Sequence, residues 1–351
     1  MSISVQIKKK MDNFSLEAGF SSECRRIGIL GASGSGKSMT LKSIAGIVHP
    51  DSGQILLNSR VLYDSARRIN VRPQDRHVGY LFQNYALFPA MTVAENISCG
   101  LKGSKAENEV RVSEMLERFR LTSLRDRLPS QLSGGQQQRT ALARIMAYRP
   151  EVILLDEPFS ALDSFLRDQM ETELTGQLRD YDGTVIMVSH SRDEIYRFSE
   201  EILIVDRGRI VNQGETKQIF LHPGNRATAM LTGCKNFSDA VRIDDHTVLA
   251  PDWGVTLHTE RVLPETIRCL GYRAHQFVPV WGAREENSIP FRLLETAELP
   301  FERSYYIQAG AEDRQEGRIT WVVQKKFWQE LAEKGMPDYL RFAEDDIMFL
   351  Q

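Results

Sequence analysis

The residues whose types and spacing could do chemistry begin with a glycine-rich segment that ends in Gly-Lys-Ser. Its members are Gly31, Ala32, Ser33, Gly34, Ser35, Gly36, Lys37 and Ser38. Glycines let successive backbone N–H groups turn inward around phosphate oxygens. A lysine at this position supplies a mobile ammonium for the outer phosphates, and the following serine hydroxyl can ligate Mg²⁺. The segment therefore predicts a phosphate-binding loop.

Further polar residues follow apolar runs elsewhere in the chain. Asp156 comes directly after one such run and has the position needed to hold the Mg²⁺ shell. Glu157 could orient or deprotonate an attacking water. Gln83 could contact both the metal and the water, and His190 could bond the γ-phosphate and polarise Glu157. Each of these residues alone could have a purely structural role, at the start of a loop or in a local hydrogen bond. Their joint appearance after a phosphate loop favours catalysis.

Hydrophobic patterning indicates the elements that must position these residues. Ile27–Leu30 is an apolar run typical of a buried strand, and the glycine segment that follows it leads into a helix closed by His49-Pro50. The runs His77–Phe82, Val152–Leu155 and Thr184–Ser189 read as further strands. Alternating strands and helices predict an α/β nucleotide-binding sheet, whose ligands sit beyond the carboxyl ends of the strands.

The intervening segments carry weaker signals. Alternation from Phe14 to Phe20 predicts a half-buried strand, and residues 105–130 show helical periodicity. Ser133 is a good N-cap for another helix. The run Ala86–Val93 is apolar yet irregular, and its proline argues against a helix or a central strand.

Taken together, the chain resembles the nucleotide-binding subunit of an ATP-binding-cassette (ABC) transporter over roughly residues 25–215. The matching motifs are Gly31–Ser38, Leu132-Ser133-Gly134-Gly135-Gln136 continued by Gln137-Gln138-Arg139, Val152–Pro158, Ser160-Ala161-Leu162-Asp163, Gln83 and His190. The resemblance implies a P-loop ABC ATPase domain, with a mixed sheet and a helical subdomain.

The same resemblance implies the ligands and partners. ATP and Mg²⁺ would bind between two copies in a homodimer, with the phosphate loop of one copy facing the signature segment, Leu132–Gln136, of the other. The implied nucleotide contacts are Gly31–Ser38, Ser133, Gly134, Gly135, Gln136 and Asp163; the implied metal ligands are Ser38, Gln83 and Asp156; the implied catalytic residues are Glu157, His190 and Gln83. Two transmembrane permease subunits, and indirectly an extracytoplasmic substrate-binding protein, would complete the assembly at the cytoplasmic face of the cell membrane.

Two details of the resemblance are open. The family's adenine-stacking aromatic has no clear counterpart; Phe14 is a candidate, but its alternation with Leu16 indicates the core. The loop Ala86–Val93 lies where such transporters receive a coupling helix of the membrane subunit, with Phe88 and Met91 as natural contacts. The alternative is that Leu87 and Phe88 fill the core.

The composition shifts near residue 233, after a helical connecting segment at Leu221–Leu231. We therefore predict a nucleotide-binding domain over 1–232 and a β-rich domain over 233–351. The second resembles the transport-associated (TOBE-type) regulatory domain of importer ATPases. Cys269–His275, with Thr232–Asn236 before it, is most similar to molybdate and tungstate importers. Sulfate, sugar and polyamine importers stay open as alternatives, as does a soluble ABC ATPase without a transporter.

Such a domain could bind the transported oxyanion. Lys235, Arg242, Arg273 and His275 could serve, although ordinary solvated surface charges are the favoured explanation. The pattern does not decide between the two.

Composition sets the remaining expectations. The 351 residues carry a formal net charge of −3, so no nucleic-acid partner is expected, and 42% hydrophobic residues suffice for proper cores. The cysteines Cys24, Cys99, Cys234 and Cys269 are scattered, as in reduced cytosolic proteins. No apolar stretch approaches the roughly 18 residues that span a bilayer, and no signal peptide opens the chain.

Overall fold

The computed structural model describes residues 2–11, 13–160, 164–309 and 317–351, with the side chains of 164–166 excepted. The chain forms two compact units, Met1–Lys217 and Gln218–Gln351. None of the helices in the described parts combines the length and apolarity that a bilayer crossing needs.

The first unit is built on one large mixed sheet with helices packed against it. Its strands are β1 Ile3–Met11, β2 Phe14–Ser22, β3 Arg26–Gly31, β4 Ser52–Leu57, β5 Arg60–Asp64, β6 Ile69–Asn70, β7 Val78–Leu81, β8 Val152–Asp156, β9 Thr184–Ser189, β10 Glu201–Asp206 and β11 Arg209–Glu215. Its helices are α1 Lys37–Ala45, α2 Val93–Ser98, α3 Lys105–Arg118, α4 Gly134–Ala147, α5 Ser164–Leu178 and α6 Arg192–Phe198, and α7 Thr216–Leu221 spans the division between the units.

The strand order explains how distant residues meet. It runs β6-β5-β4-β1-β2-β11-β10-β3-β9-β8-β7 among the described residues. From β10 to β7 every neighbouring pair is parallel. The carboxyl ends of β3, β7, β8 and β9 therefore lie at one edge of the sheet. Strands β8 and β9 are buried along their whole length, as their unbroken apolar runs predict.

The alternation predicted for β2 is confirmed: Leu16, Ala18 and Phe20 are buried and Phe14 is half-buried against the same core. The α/β class, the mixed sheet and the additional β-rich C-terminal sheets are likewise confirmed. One helix differs from expectation. The 105–130 pattern yields α3 only as far as Arg118, because Arg120 takes a left-handed φ of 54° that ends the helix, and 122–124 and 129–131 form separate 3₁₀ turns.

Gly46 and the buried side chain of Arg76 together terminate α1 at its C-terminal end. Gly46 takes a φ of 80° there, as helix-ending glycines do. The guanidinium of Arg76, fully buried, donates to the carbonyls of Ser43 and Ile44, to Val71 and to the side chain of Asn70. Burial lowers the pKa of Arg76 to about 10. The cation thus satisfies helix-end carbonyls at the negative end of the dipole.

The second unit is mainly β. Its helices are α8 Arg226–Leu231 and α9 Trp328–Lys334, and its strands are β12 Asn236–Asp239, β13 Val241–Arg242, β14 Thr247–Ala250, β15 Val255–His258, β16 Cys269–Tyr272, β17 Val278–Val280, β18 Ser288–Glu298, β19 Glu302–Ala309, β20 Arg318–Gln324, β21 Tyr339–Arg341 and β22 Met348–Leu350. They form sheets in the orders β12-β16-β22, β13-β14-β15 and β17-β21-β18-β19-β20. All tryptophans of the chain lie in this unit: Trp253, Trp281, Trp321 and Trp328.

The division between the units falls earlier than the 232/233 boundary that we predict from composition. The reason is visible in α8 and the turn after it. Ala229 of α8 packs in one cluster with Cys234, Cys269 and Leu350. The Arg273 guanidinium donates to the Thr232 carbonyl at 2.8 Å. Composition alone does not register that this short helix is packed into the β-rich unit.

Candidate functional site

The phosphate-loop segment connects β3 to α1 in a conformation that depends on its glycines. Gly34 and Gly36 take φ values of 76° and 103°, in the region where only glycine is unstrained. A Cβ at Gly31 would lie 2.3 Å from the carbonyl oxygen of Val205. The loop thus lies tightly against β10 and opens onto the amino end of α1.

Lys37, the first residue of α1, is folded over this loop. Its ammonium donates to the carbonyl oxygens of Gly31 at 2.9 Å and Ala32 at 2.8 Å, and the residue is 4% exposed. Burial lowers the pKa of Lys37, while the nearby Glu157 and Asp156 carboxylates act in the opposite direction. The side chain is therefore a buried cation at the centre of an anion-binding loop.

Ser38 and Asp156 meet across the sheet edge. The Ser38 hydroxyl donates to Asp156 Oδ1 at 2.6 Å, and the Tyr80 hydroxyl donates to Asp156 Oδ2 at 2.7 Å. Asp156 ends β8 and is only 6% exposed. Burial, and then the adjacent Asp156 carboxylate, raises the pKa of Tyr80, so Tyr80 stays a neutral hydrogen-bond donor.

Glu157 and His190 face each other beyond the ends of β8 and β9. His190 Nδ1 lies 3.6 Å from Glu157 Oε2, with side chains 55% and 24% exposed. Glu157 takes a left-handed φ of 47°, and its N–H donates to the Val188 carbonyl at 3.1 Å. A non-glycine residue in this region costs energy that functional sites commonly retain to aim a side chain.

Gln83 follows β7 at the same edge and is exposed. Its Nε2 donates to Ser160 Oγ at 2.9 Å, and Ser160 Oγ donates in turn to the Glu157 carbonyl at 3.0 Å. Gln83 is thereby connected to the turn of Glu157 rather than to Asp156 directly.

The signature segment leads into the amino end of α4. Ser133 caps α4 in a reciprocal box with Gln136: the Gln136 N–H donates to Ser133 Oγ at 3.4 Å, and the Ser133 N–H donates to Gln136 Oε1 at 2.9 Å. Ser133 and Gly134 are exposed. Within the described chain, no hydrogen bond joins this segment to the phosphate loop. Asp163, the remaining predicted contact, lies outside the described residues.

The residues present fit a nucleoside triphosphate with Mg²⁺. The Ser35 hydroxyl is buried in the loop without a hydrogen-bond partner among the described residues, so an oxygen or N–H of a ligand would satisfy it. Glycines leave room for phosphate where side chains would clash. Mg²⁺ is commonly held by one or two protein oxygens with water and phosphate, and Ser38 with Asp156 provides such a pair.

Phe14, the candidate adenine contact, lies beside the loop. A Cβ at Gly36 would be 3.0 Å from the Phe14 ring. The residue is half-buried and packs against the core. The ring therefore contributes to both environments, the sheet core and the loop.

Sequence patterns do not indicate that Tyr80 and Ser160 belong to the site. Tyr80 lies inside an apolar strand, and only the pairing of Tyr80 with Leu154 places it on the face of Asp156. Ser160 belongs to a motif of the family resemblance that implies no role for its own side chain. No local signal distinguishes either residue, since both roles arise from strand order.

One buried side chain fixes the conformation of the loop Ala86–Val93 through hydrogen bonds to its backbone. Asn96, fully buried, accepts from the Phe88 N–H at 2.9 Å and donates to the carbonyls of Phe88, Met91 and Thr92. Phe88 and Met91 are 44% and 37% exposed, and the Arg144 guanidinium lies 5.6 Å above the Phe88 ring. Phe88 therefore does not fill the core.

In the C-terminal unit, the hydrogen bonds and ion pairs of the two candidate oxyanion arginines are already directed to other groups. Arg273 donates to the carbonyls of Thr232 and Phe220, and Arg242 pairs with Asp245. Lys235 and His275 are exposed.

The family profile described as ABC transporter matches residues 13–160. Among curated proteins, the chain is 41% identical to the Fe(3+) ions import ATP-binding protein FbpC of Haemophilus influenzae (strain 86-028NP), over 62% of this chain and 63% of that protein. It is 43% identical to the putrescine transport ATP-binding protein PotG of Escherichia coli (strain K12), over 63% and 59%. The match thus spans less than two thirds of either relative.

A shorter relative is covered more fully. The probable sulfate/thiosulfate import ATP-binding protein CysA of Chlorella vulgaris is 41% identical over 60% of this chain and 87% of that protein. Among solved structures, the ADP- and Pi-bound dimer of the ATP-binding cassette MJ0796 matches with a TM-score of 0.50 at 29% identity, covering 61% of this chain and 98% of that one. The cbiO1 structure from Clostridium perfringens matches with a TM-score of 0.54 at 27% identity, over 62% and 90%.

Proposed function

Because the chain belongs to the ABC transporter ATP-binding family, we propose that it hydrolyses ATP to energise an importer. One observation carries this proposal. The carboxyl ends of neighbouring parallel strands present the phosphate loop, the Asp156–Glu157 pair and His190 at one edge of a sheet. His190 and Glu157 lie 3.6 Å apart there.

The geometry supports the following roles for these residues. The loop N–H groups and Lys37 bind the phosphates, and Mg²⁺, held by Ser38 and Asp156, would neutralise charge on the outer phosphates. Glu157 orients the attacking water or accepts a proton from it. His190 holds that carboxylate in place and can donate toward the terminal phosphate. Gln83 connects this group to the exposed loop Ala86–Val93.

Replacing Glu157 by glutamine tests the hydrolytic role. Phosphate release by the purified full chain with Mg²⁺ and ATP is expected to fall about 10²- to 10⁴-fold, the usual effect of losing a general base. Glu117→Gln, on the exposed face of α3, serves as the matched control and should keep the wild-type rate. A wild-type chain that releases no phosphate, or a Glu157→Gln variant at full rate, would refute the proposal.

The exposed signature segment suggests how the site is completed. Ser133 and Gly134 open a helix whose amino end suits an anion, yet among the described residues no hydrogen bond of one chain joins them to the phosphate loop. We infer a head-to-tail homodimer with ATP between the two copies. In the Glu157→Gln variant, ATP should convert monomer to dimer in light scattering, and Ser133→Arg added to that variant should abolish the shift. A scattering mass that stays monomeric at saturating ATP would contradict this arrangement.

The exposed loop Ala86–Val93 is the proposed contact with two permease subunits, which would place the chain at the cytoplasmic face of a membrane. What supports this is the exposure of Phe88 and Met91 beside Gln83. In a reconstituted complex, Phe88→Ala should reduce transport several-fold while the isolated chain keeps its ATPase rate. Val110→Ala, which trims an even more exposed apolar side chain on α3 (61%), is the control. Equal loss of both activities would instead indicate a folding defect.

For the transported species we propose an oxyanion, with molybdate or tungstate first and sulfate next. The support is the Cys269–His275 segment and a relative named for sulfate and thiosulfate; relatives named for iron and putrescine define the alternative. An external binding protein loaded with each of these should be tested for stimulation of ATPase activity in the reconstituted complex. Calorimetry of the full chain with molybdate, tungstate and sulfate tests binding to the C-terminal unit. Stimulation by putrescine or iron alone would exclude the oxyanion.

A further inference from the structure

The turn that carries His190 is closed by hydrogen bonds on both sides of that residue. Ser189, which ends β9 and is 1% exposed, donates its hydroxyl to Glu194 Oε2 at 2.6 Å and accepts from the Ser191 N–H at 2.9 Å. The Glu194 N–H donates to Ser191 Oγ at 3.4 Å. The neighbours of His190 are therefore fixed, while the imidazole itself is exposed toward Glu157.

This arrangement departs from the other capped helices of the unit. In α2 and α3 the third residue, Glu95 or Glu107, accepts directly from the backbone N–H of the capping residue, and both glutamates are exposed. In α6 the Ser189 hydroxyl stands between the cap N–H and the carboxylate. Glu194 occupies the same third position, yet it is buried at 5% exposure. A role in helix capping alone does not require that burial.

The second oxygen of Glu194 faces another element. Glu194 Oε1 lies 3.8 Å from Arg167 Nε on α5, the helix that begins directly after Asp163. A parallel connection runs the other way, since Arg197 of α6 pairs with Glu171 of α5 at 2.7 Å. The turn of His190 is thereby held against α5 as well as against β9.

We propose that Glu194 is a positioning residue for His190. It acts through Ser189, holding the turn so that the imidazole meets Glu157, and Arg167 holds Glu194 in turn. This inference rests on the proposed function for its kinetic consequence, because His190 matters to the rate only if the chain hydrolyses ATP. Its structural consequence, the placement of the imidazole, is independent of hydrolysis.

A double-mutant cycle separates positioning from general damage. Glu194→Ala should lower kcat at least about 10-fold with KM for ATP changed less than about 3-fold, and in a His190→Ala background the same change should cost under about 2-fold. Glu194→Gln should recover part of the rate, because its amide oxygen can still accept from Ser189. Glu107→Ala, the same third position in an exposed capping box, should leave kcat unchanged.

A spectroscopic readout distinguishes this inference from the proposed function. In the nucleotide-free full chain, the ¹H–¹³C signal of the His190 ring, identified by its loss in His190→Ala, should shift in Glu194→Ala and not in Glu107→Ala. If the wild type shows no ATPase activity, the proposed function fails and this shift still decides the positioning role. Should Glu194→Ala not fold, Ser189→Ala and Glu194→Gln provide the same comparison. An unshifted His190 signal, or rate losses that multiply fully in the double mutant, would overturn the inference.

Discussion

At the residue scale, the two oxygens of Asp156 have different partners. Oδ1 accepts from Ser38, which is also a candidate metal ligand, whereas Oδ2 accepts from Tyr80, which stays protonated in its buried setting. One oxygen can therefore exchange its partner for a metal while the other stays anchored. Outer-shell anchors of this kind orient ligating carboxylates.

Tyr80→Phe removes only the anchoring hydroxyl. Because Asp156 Oδ2 would then lack its donor in a buried position, we expect the free energy of unfolding to fall by about 1–3 kcal/mol. Urea unfolding followed by far-UV circular dichroism measures this change. Tyr196→Phe, at a side chain 45% exposed, should change stability by under about 0.5 kcal/mol. Equal stability of Tyr80→Phe and wild type would show that the hydrogen bond contributes nothing net.

At the element scale, sequence patterns predict where the strands are but not which strands lie next to one another. Apolar runs that stop at a polar residue located the ends of β7, β8 and β9, and so placed Gln83, Asp156 and His190 at one edge. The order of the strands, which brings Tyr80 to Asp156, has no local signature. The helical periodicity does not indicate the end of α3, because it continues past Phe119, whereas the chain turns at Arg120. The sequence also gives no signal that the Ser189 hydroxyl takes part in the α6 cap, because that contact depends on how the start of α6 folds back onto the end of β9.

Asn96 gives an element-scale prediction, because one side chain of α2 organises the whole loop before it. Asn96→Ala removes its hydrogen bonds to Phe88, Met91 and Thr92, at about 1 kcal/mol for each bond lost. The amides of residue 88 and of residues 90–92 should exchange with deuterium at least about 10-fold faster, since about 1.4 kcal/mol corresponds to tenfold in an opening equilibrium. Asn108→Ala, which removes a similar contact to Gly103, should affect only its own turn. Unchanged exchange at residues 88 and 90–92 would mean that the loop holds its shape without Asn96.

At the scale of the whole molecule, the two units can be followed separately. Every indole lies in the C-terminal unit, so tryptophan emission reports its unfolding alone. Within that unit Asp346 accepts from Gln276 Nε2 at 2.7 Å. Burial, with a smaller contribution from Asp345, raises the pKa of Asp346 above its ordinary 3.8.

The sign of the resulting pH dependence follows from linkage. An acid whose pKa is raised by folding contributes stability at low pH and loses it as the pH rises through the folded-state value. Asp346→Asn removes the ionisation, and its amide oxygen can still accept from Gln276. We expect the variant to unfold at higher urea than wild type at pH 7, the gap narrowing toward about pH 4. Glu286→Gln, at an exposed residue, should show no such trend; a pH-independent gap for Asp346→Asn would contradict the assignment.

The contact between Gly46 and Arg76 at the C-terminal end of α1 restricts which substitutions these two positions can accept. A methyl group at position 46 would lie 2.6 Å from the Arg76 Nε, and shortening Arg76 would leave several inward carbonyls without a donor. Neither position can change alone without cost, so a library randomised at one of them should return almost only the starting residue. Randomising both positions together is the way in which a different pair of residues could terminate α1, the helix that follows the phosphate loop.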